Sequence, residues 1–149
     1  MCGVARSLLQ RAAEAAGAGL RRLELHCPPE SPVAWRGPGP AAGGLEWLRL
    51  GLYPLSSALA LVRANAASLQ ELHLLAASEE PYGCPDLHLQ LASCGLRALT
   101  KLHLLRDSAD GRWCRHKNES CTQQKMQVWD ALLETGVAAT VTCSLCDKV

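Results

Sequence analysis

Four copies of one leucine spacing constrain this chain more than anything else in it. Leu20-x-x-Leu23-x-Leu25, Leu45-x-x-Leu48-x-Leu50, Leu69-x-x-Leu72-x-Leu74 and Leu99-x-x-Leu102-x-Leu104 start 25, 24 and 30 residues apart. In each copy the fourth and sixth positions alternate, as the buried residues of a short strand must. A lone strand of this kind cannot bury its apolar face, but parallel strands laid side by side make one continuous leucine core. Leucine fills 27 of the 149 positions and neither Ile nor Phe occurs, so that core is built from Leu, Ala and Val.

Helical patterns separate the strands. Residues 54–67 place Pro54 at the first helical position and apolar residues at 55, 58, 59 and 62. Residues 85–94 open with Pro85 and put Leu87 and Leu91 on one face. The Ala-rich stretch 4–16 turns Leu8, Leu9, Ala12 and Ala16 inward and Arg6, Gln10, Arg11 and Glu14 outward, as a helix leading into the first strand. A last helix is expected over 120–135, with Met126, Trp129, Leu132 and Leu133 on one face, and a fifth strand within Val137 to Leu145. Two stretches break the rhythm. Residues 27–44 carry Pro28, Pro29, Pro32, Pro38 and Pro40 with four glycines, which makes an irregular loop. Residues 106–119 are a polar insertion, expected on one rim. The expected organisation is one domain over 1–149: a leading helix (1–19), four repeats (20–105), the insertion, and a last helix, strand and C-x-x-C tail (120–149).

The chain resembles a leucine-rich-repeat protein over residues 18–145, since the first two intervals fall within the period of that family and the last is slightly long. The ninth repeat position, often Asn or Cys in such proteins, holds Pro28, Tyr53, Ala77 and Asp107 here, so no side-chain ladder runs along the turns. Helical returns make the chain most similar to ribonuclease-inhibitor-like and F-box-associated repeats. Its Leu/Ala/Arg-rich wording and cysteine-containing tail resemble the repeat region of F-box proteins, the substrate adaptors of ubiquitin ligases. No F-box itself is visible. The resemblance implies an α/β leucine-rich-repeat solenoid, with a parallel sheet of about five strands on the concave side and helices and loops on the convex side. It also implies a recognition role toward a protein partner. A truncated piece of a larger repeat protein, marginally stable or oligomeric alone, is the deflationary alternative.

Net charge is +1, from 15 Lys plus Arg against 14 Asp plus Glu, which argues against a nucleic-acid surface. No segment reaches the roughly 20 apolar residues of a membrane span, and polar residues interrupt the N-terminal stretch, so a soluble cytoplasmic or nuclear protein is expected. No P-loop, nucleophile elbow, dinucleotide fingerprint or H-E-x-x-H occurs, so no enzymatic activity is expected.

Two groups of residues carry the functional expectations. If the strand leucines point inward, their neighbours form outward rows on the concave face. One row reads Arg22, Trp47, Glu71, Lys101 and the next Glu24, Arg49, His73, His103, with Thr140 and Thr142 on the fifth strand. Trp and Arg are frequent binding hot spots, so this face is the expected partner surface. The bland reading is self-satisfaction, with Glu24 on Arg49, Glu71 on Lys101 and Arg22 stacked on Trp47. The second group is a set of metal-ligand types. Cys143-Ser144-Leu145-Cys146 is a C-x-x-C, and Cys114, His116 and Cys121 lie in and beside the insertion. If the ends of strands four and five are neighbours, the C-x-x-C and two of those three would complete a tetrahedral zinc site. A Cys114–Cys121 disulfide is the competing arrangement. Otherwise no cofactor is expected. Cys27, Cys84 and Cys94 are read as packing residues.

Overall fold

The computed structural model describes residues 10–11, 14, 19–27, 34–35, 44–79, 83–106 and 116–147. The expected helix over 4–16, most of the 27–44 loop and residues 107–115, with Cys114, fall largely or wholly outside the described residues. Each leucine copy carries a strand that begins at its third position: β1 (Arg22–His26), β2 (Trp47–Gly51), β3 (Glu71–Leu75) and β4 (Lys101–Leu105). A fifth strand, β5 (Thr140–Cys143), is shorter than the apolar run around it. All five pair in parallel in the order β1-β2-β3-β4-β5. Three helices connect them among the described residues: α1 (Leu55–Ala64), α2 (Leu87–Ala92) and α3 (Asn118–Glu134). The architecture is α/β.

The register follows the leucine phase. Leu23, Leu48, Leu72, Leu102 and Val141 form one row across the sheet, and Leu25, Leu50, Leu74, Leu104 and Cys143 the next. The leucines of β2, β3 and β4 in these rows are fully buried, as are Leu45 and Leu69 ahead of them. Each such leucine contributes about 1.5–3 kcal/mol by leaving water. The helices cover this face, with Ala58, Leu59, Leu61 and Val62 of α1, Leu87 and Leu91 of α2, and Val128 and Leu132 of α3 in the same core. Leu23 and Leu25 are only partly buried, because β1 is the edge strand.

Helix ends are set by local polar bonds. Pro54 does not start α1 but precedes it in an extended conformation, and its carbonyl accepts from Ser57 N. α1 ends at Ala64, three residues before the spacing suggests, with Asn65 as its C-cap. There the buried carboxamide accepts from Leu45 N (3.2 Å) and donates to Leu61 O (2.9 Å), which ties the helix end to the strand entry. α3 ends where Gly136 takes a positive φ of 82°, which lets Val137 N reach Leu132 O.

The buried face of α3 corrects the expectation from its apolar residues. Met126, Trp129 and Leu133 are exposed, at 61, 46 and 47%. Cys121, Gln124, Val128, Ala131 and Leu132 are the buried residues. This set recurs at helical spacing. Cys121 and Gln124 join the inner face because buried polar partners wait for them, which residue type alone does not reveal. Trp35 is a further core residue without a sequence signal. It is 7% exposed, and its backbone N–H donates to Ser57 Oγ of α1 at 3.1 Å.

Candidate functional site

The exposed sheet face carries both expected rows in register. Arg22, Trp47, Glu71, Lys101 and Thr140 are successive partners, and so are Glu24, Arg49, His73, His103 and Thr142. The side chains are largely satisfied by one another. The Arg22 guanidinium lies 4.2 Å above the Trp47 ring, and Trp47 Nε1 donates to Glu71 Oε1 at 3.1 Å. The same Glu71 oxygen lies 2.7 Å from His73 Nε2, while Lys101 Nζ is 3.9 Å from Oε2. Glu24 and Arg49 pair at 3.5 Å. His73 bridges the Trp47 and His103 rings, with centroids 5.1 and 5.2 Å away, and His103 Nδ1 meets Thr142 Oγ1 at 2.5 Å.

The electrostatics follow from these contacts. The hydrogen bond from His73 holds the Glu71 carboxyl below its ordinary range; burial opposes this, while Trp47 and Lys101 assist. Burial lowers the His103 pKa, and the neighbouring His73 lowers it further. The result is a half-buried Trp–Glu–His–His strip, held in one geometry, with Arg22, Arg49 and Lys101 exposed beside it. At the carboxyl ends of the strands it runs into a cleft of about 500 Å³ lined by Glu24, His26, Arg49, Leu105, Arg106 and Ser144. Open α/β sheets present ligand sites at this end of their strands.

The second constellation forms beyond β4 and β5, which pair as the expectation required. His116 precedes α3, Cys121 lies in its first turns, Cys143 ends β5, and Cys146 follows in the turn. His116 Nε2 is 3.5 Å from Cys143 Sγ and 3.2 Å from Cys146 Sγ. All four ligand atoms lie within 4.8 Å of one another, so these residues could hold a metal ion. Among the described residues this is the one such group, and neither His73 nor His103 belongs to it. A tetrahedral ion with metal–sulfur bonds of about 2.3 Å sets ligand separations near 3.8 Å, so closure needs at most about 1 Å of movement. Cys114 lies outside the described residues, and Cys121 is a free thiol, contrary to a disulfide at that position. Cys27, Cys84 and Cys94 pack in or against the core, as read.

The surroundings hold this cluster. Asp147 Oδ2 accepts from Cys143 N and from Lys125 Nζ, both at 2.7 Å, which fastens the C-x-x-C turn to α3. Leu145 N donates to Cys143 Sγ at 3.4 Å. Burial pushes the Cys143 thiol up, but backbone N–H groups of Cys146 and Leu145, with Cys121 and Arg106 beside it, outweigh that and leave it below its ordinary value. Burial pushes Cys121 the other way, upward, with Arg106 opposing. Arg106 itself carried no functional expectation. It is 5% exposed, donates to Cys121 Sγ at 3.4 Å and to Gln124 Oε1 at 2.7 Å, and also bonds Ala76 O. The sequence offers no signal for this arginine except its place directly after a leucine strand.

Comparison of the chain with family models, with curated proteins and with solved structures finds no match. No helix among the described residues is long and apolar enough to cross a membrane.

Proposed function

We propose that the chain is a non-catalytic protein-recognition module of leucine-rich-repeat type, a short solenoid whose exposed sheet face is its binding surface. Substrate recognition within a ubiquitin-ligase adaptor of the F-box kind is its most specific form. The observation that carries the proposal is the pre-ordered strip of Trp47, Glu71, His73 and His103 with Arg22 stacked above it. Fixed aromatic and arginine groups lose little entropy on binding and are frequent hot spots. Peptides selected from a displayed library against the wild-type chain test this. They are expected to lose binding to Trp47→Ala and to keep it for Asp130→Ala on α3. Equal binding to Trp47→Ala would remove the strip from the interface.

A second reading is favoured by the convergence of His116, Cys121, Cys143 and Cys146. In it the module is an interaction domain whose C-terminal rim is held by zinc, the ion suited to three thiolates and one imidazole in tetrahedral array. About one zinc per chain by elemental analysis, with a melt lowered by EDTA, is the expected result. Metal-free protein with an EDTA-insensitive melt would dismiss it.

A further inference from the structure

Arg106 is the buried group that the fold does not explain by itself. Its partners are a backbone carbonyl, a carboxamide and a thiol, all formally neutral. Its Nε has no hydrogen-bond partner, and no carboxylate among the described residues pairs with it. A guanidinium is charged at any physiological pH. Burying it without an opposite charge is costly.

A negative charge becomes available in the cluster it touches once a metal ion is bound. Three thiolates and a neutral imidazole around a divalent ion sum to a charge of −1, which one guanidinium neutralises. A monovalent ion in the same ligand set would leave −1 after Arg106 is counted, and a trivalent ion would leave +1. Metal ligation demands the thiolate form, so the negative charge arrives with the ion. The guanidinium is already placed to receive it, 3.4 Å from Cys121 Sγ.

We propose that Arg106 is the built-in counter-ion of a divalent, tetrahedral metal centre formed by His116, Cys121, Cys143 and Cys146. The inference rests on the zinc reading of the cluster and adds to it the charge of the ion and the residue that selects it. Arg106 is a positioning residue, not a ligand. Its bond to Ala76 O carries the unit back to the exit of β3, and Gln124 Nε2, 3.1 Å from Ala77 O, reinforces that link. The centre therefore joins the ends of three neighbouring strands, β3, β4 and β5, and not only the tail to α3.

The test uses the full chain, Zn²⁺ as the probe and a chromophoric chelator as competitor. The variants are Arg106→Gln and Arg106→Lys. The wild type is expected to bind one ion. Arg106→Gln is expected to bind it about 10- to 100-fold more weakly, the usual effect of removing a group that supports a ligand. Arg106→Lys keeps the charge and is expected to lose less. Melts recorded with zinc and with EDTA separate this role from plain packing: Arg106→Gln should lower the zinc-loaded melt more. Equal lowering of both melts, or unchanged affinity, would overturn the counter-ion. If Arg106→Gln does not fold, the wild type decides: the Arg106 Nε–H resonance should move on addition of one equivalent of Zn²⁺, and an unmoved resonance overturns the proposal. Failure of the wild type to bind zinc strikes the metal reading itself, a result distinct from a wild type that binds while Arg106 proves indifferent.

Discussion

The polar strip on the sheet and the Cys/His cluster at its end draw on the chain in opposite ways. The strip and its flanking charges draw on the same two positions of each leucine copy, so Trp47, Glu71 and Lys101 share one row and Arg49, His73 and His103 the next, because β2, β3 and β4 pair in parallel without a register shift. The cluster takes its residues from a loop end, a helix start and a strand end, at 116, 121, 143 and 146. The strip is bonded internally as it stands. The cluster brings together three thiols and an imidazole beside a guanidinium that pairs with no carboxylate among the described residues. A regular sheet thus supplies a finished surface, while an irregular rim supplies a site that an ion would complete. The two regions should respond to different perturbations.

The largest expected difference is in metal dependence. Zinc at about 1,000 times its dissociation constant adds about 4 kcal/mol to stability. Cys143→Ser should abolish the whole of that increment, while Trp47→Ala should leave it intact. Urea titrations with and without zinc measure both, and loss of the increment in Trp47→Ala would show the regions to be one unit. Next in size is Trp47 itself. Trp47→Ala removes the stack under Arg22 and the donor to Glu71, at a cost of about 2 kcal/mol in the presence of EDTA. Trp47→Phe keeps the ring and loses only the donor, so about half that cost is expected. A Trp47→Phe as damaging as Trp47→Ala would mean that the stack contributes nothing.

The same contrast separates what is legible in the sequence from what is not. Both polar rows were legible because leucine phase determines strand register, and register determines every neighbour on the outer face. The cluster is legible in part, since the C-x-x-C and the insertion follow strands that the repeat makes neighbours. Arg106, Gln124 and Asn65 were not legible. Each is polar by type and buried through hydrogen bonds to groups 4 to 47 residues away. For that reason apolar counting gives α3 the wrong phase: it favours Met126, Trp129 and Leu133, whereas the packing favours Cys121 and Gln124. Trp35 sits in a proline-rich stretch with no periodicity, so nothing in its neighbourhood announces a core residue.

Acid should weaken the strip in two stages. The His103 pKa lies below its ordinary 6.5, because burial and His73 disfavour the imidazolium. Below pH 6.5 the unfolded chain takes up this proton more readily than the folded one, so stability falls as pH drops toward the lowered folded value. Glu71 acts in the window beneath. Its carboxyl, held below 4.5 mainly by the bond from His73, adds stability that is complete above pH 4.5 and lost as pH falls through the folded value. With EDTA present throughout, His103→Asn should flatten the upper part of the stability–pH curve and Glu71→Gln the lower part. Unchanged curves in both variants would mean that the strip does not titrate with folding.

The smallest expected effect belongs to Glu24 and Arg49, which sit in the second row but at its solvent edge. Their side chains are 58 and 47% exposed, and a single 3.5 Å contact joins them. Water competes for both charges and salt screens them, so the pair should contribute less than about 1 kcal/mol. A double-mutant cycle over Glu24→Gln and Arg49→Gln measures the coupling directly, and raising the ionic strength should reduce it further. The value matters for the proposed binding role. A weak pair leaves Arg49 free to exchange Glu24 for an acidic group on a partner, beside the cleft that both residues line. A coupling well above about 1 kcal/mol would instead make Arg49 a fixed part of the sheet, and would confine recognition to Arg22, Trp47 and Lys101 in the neighbouring row.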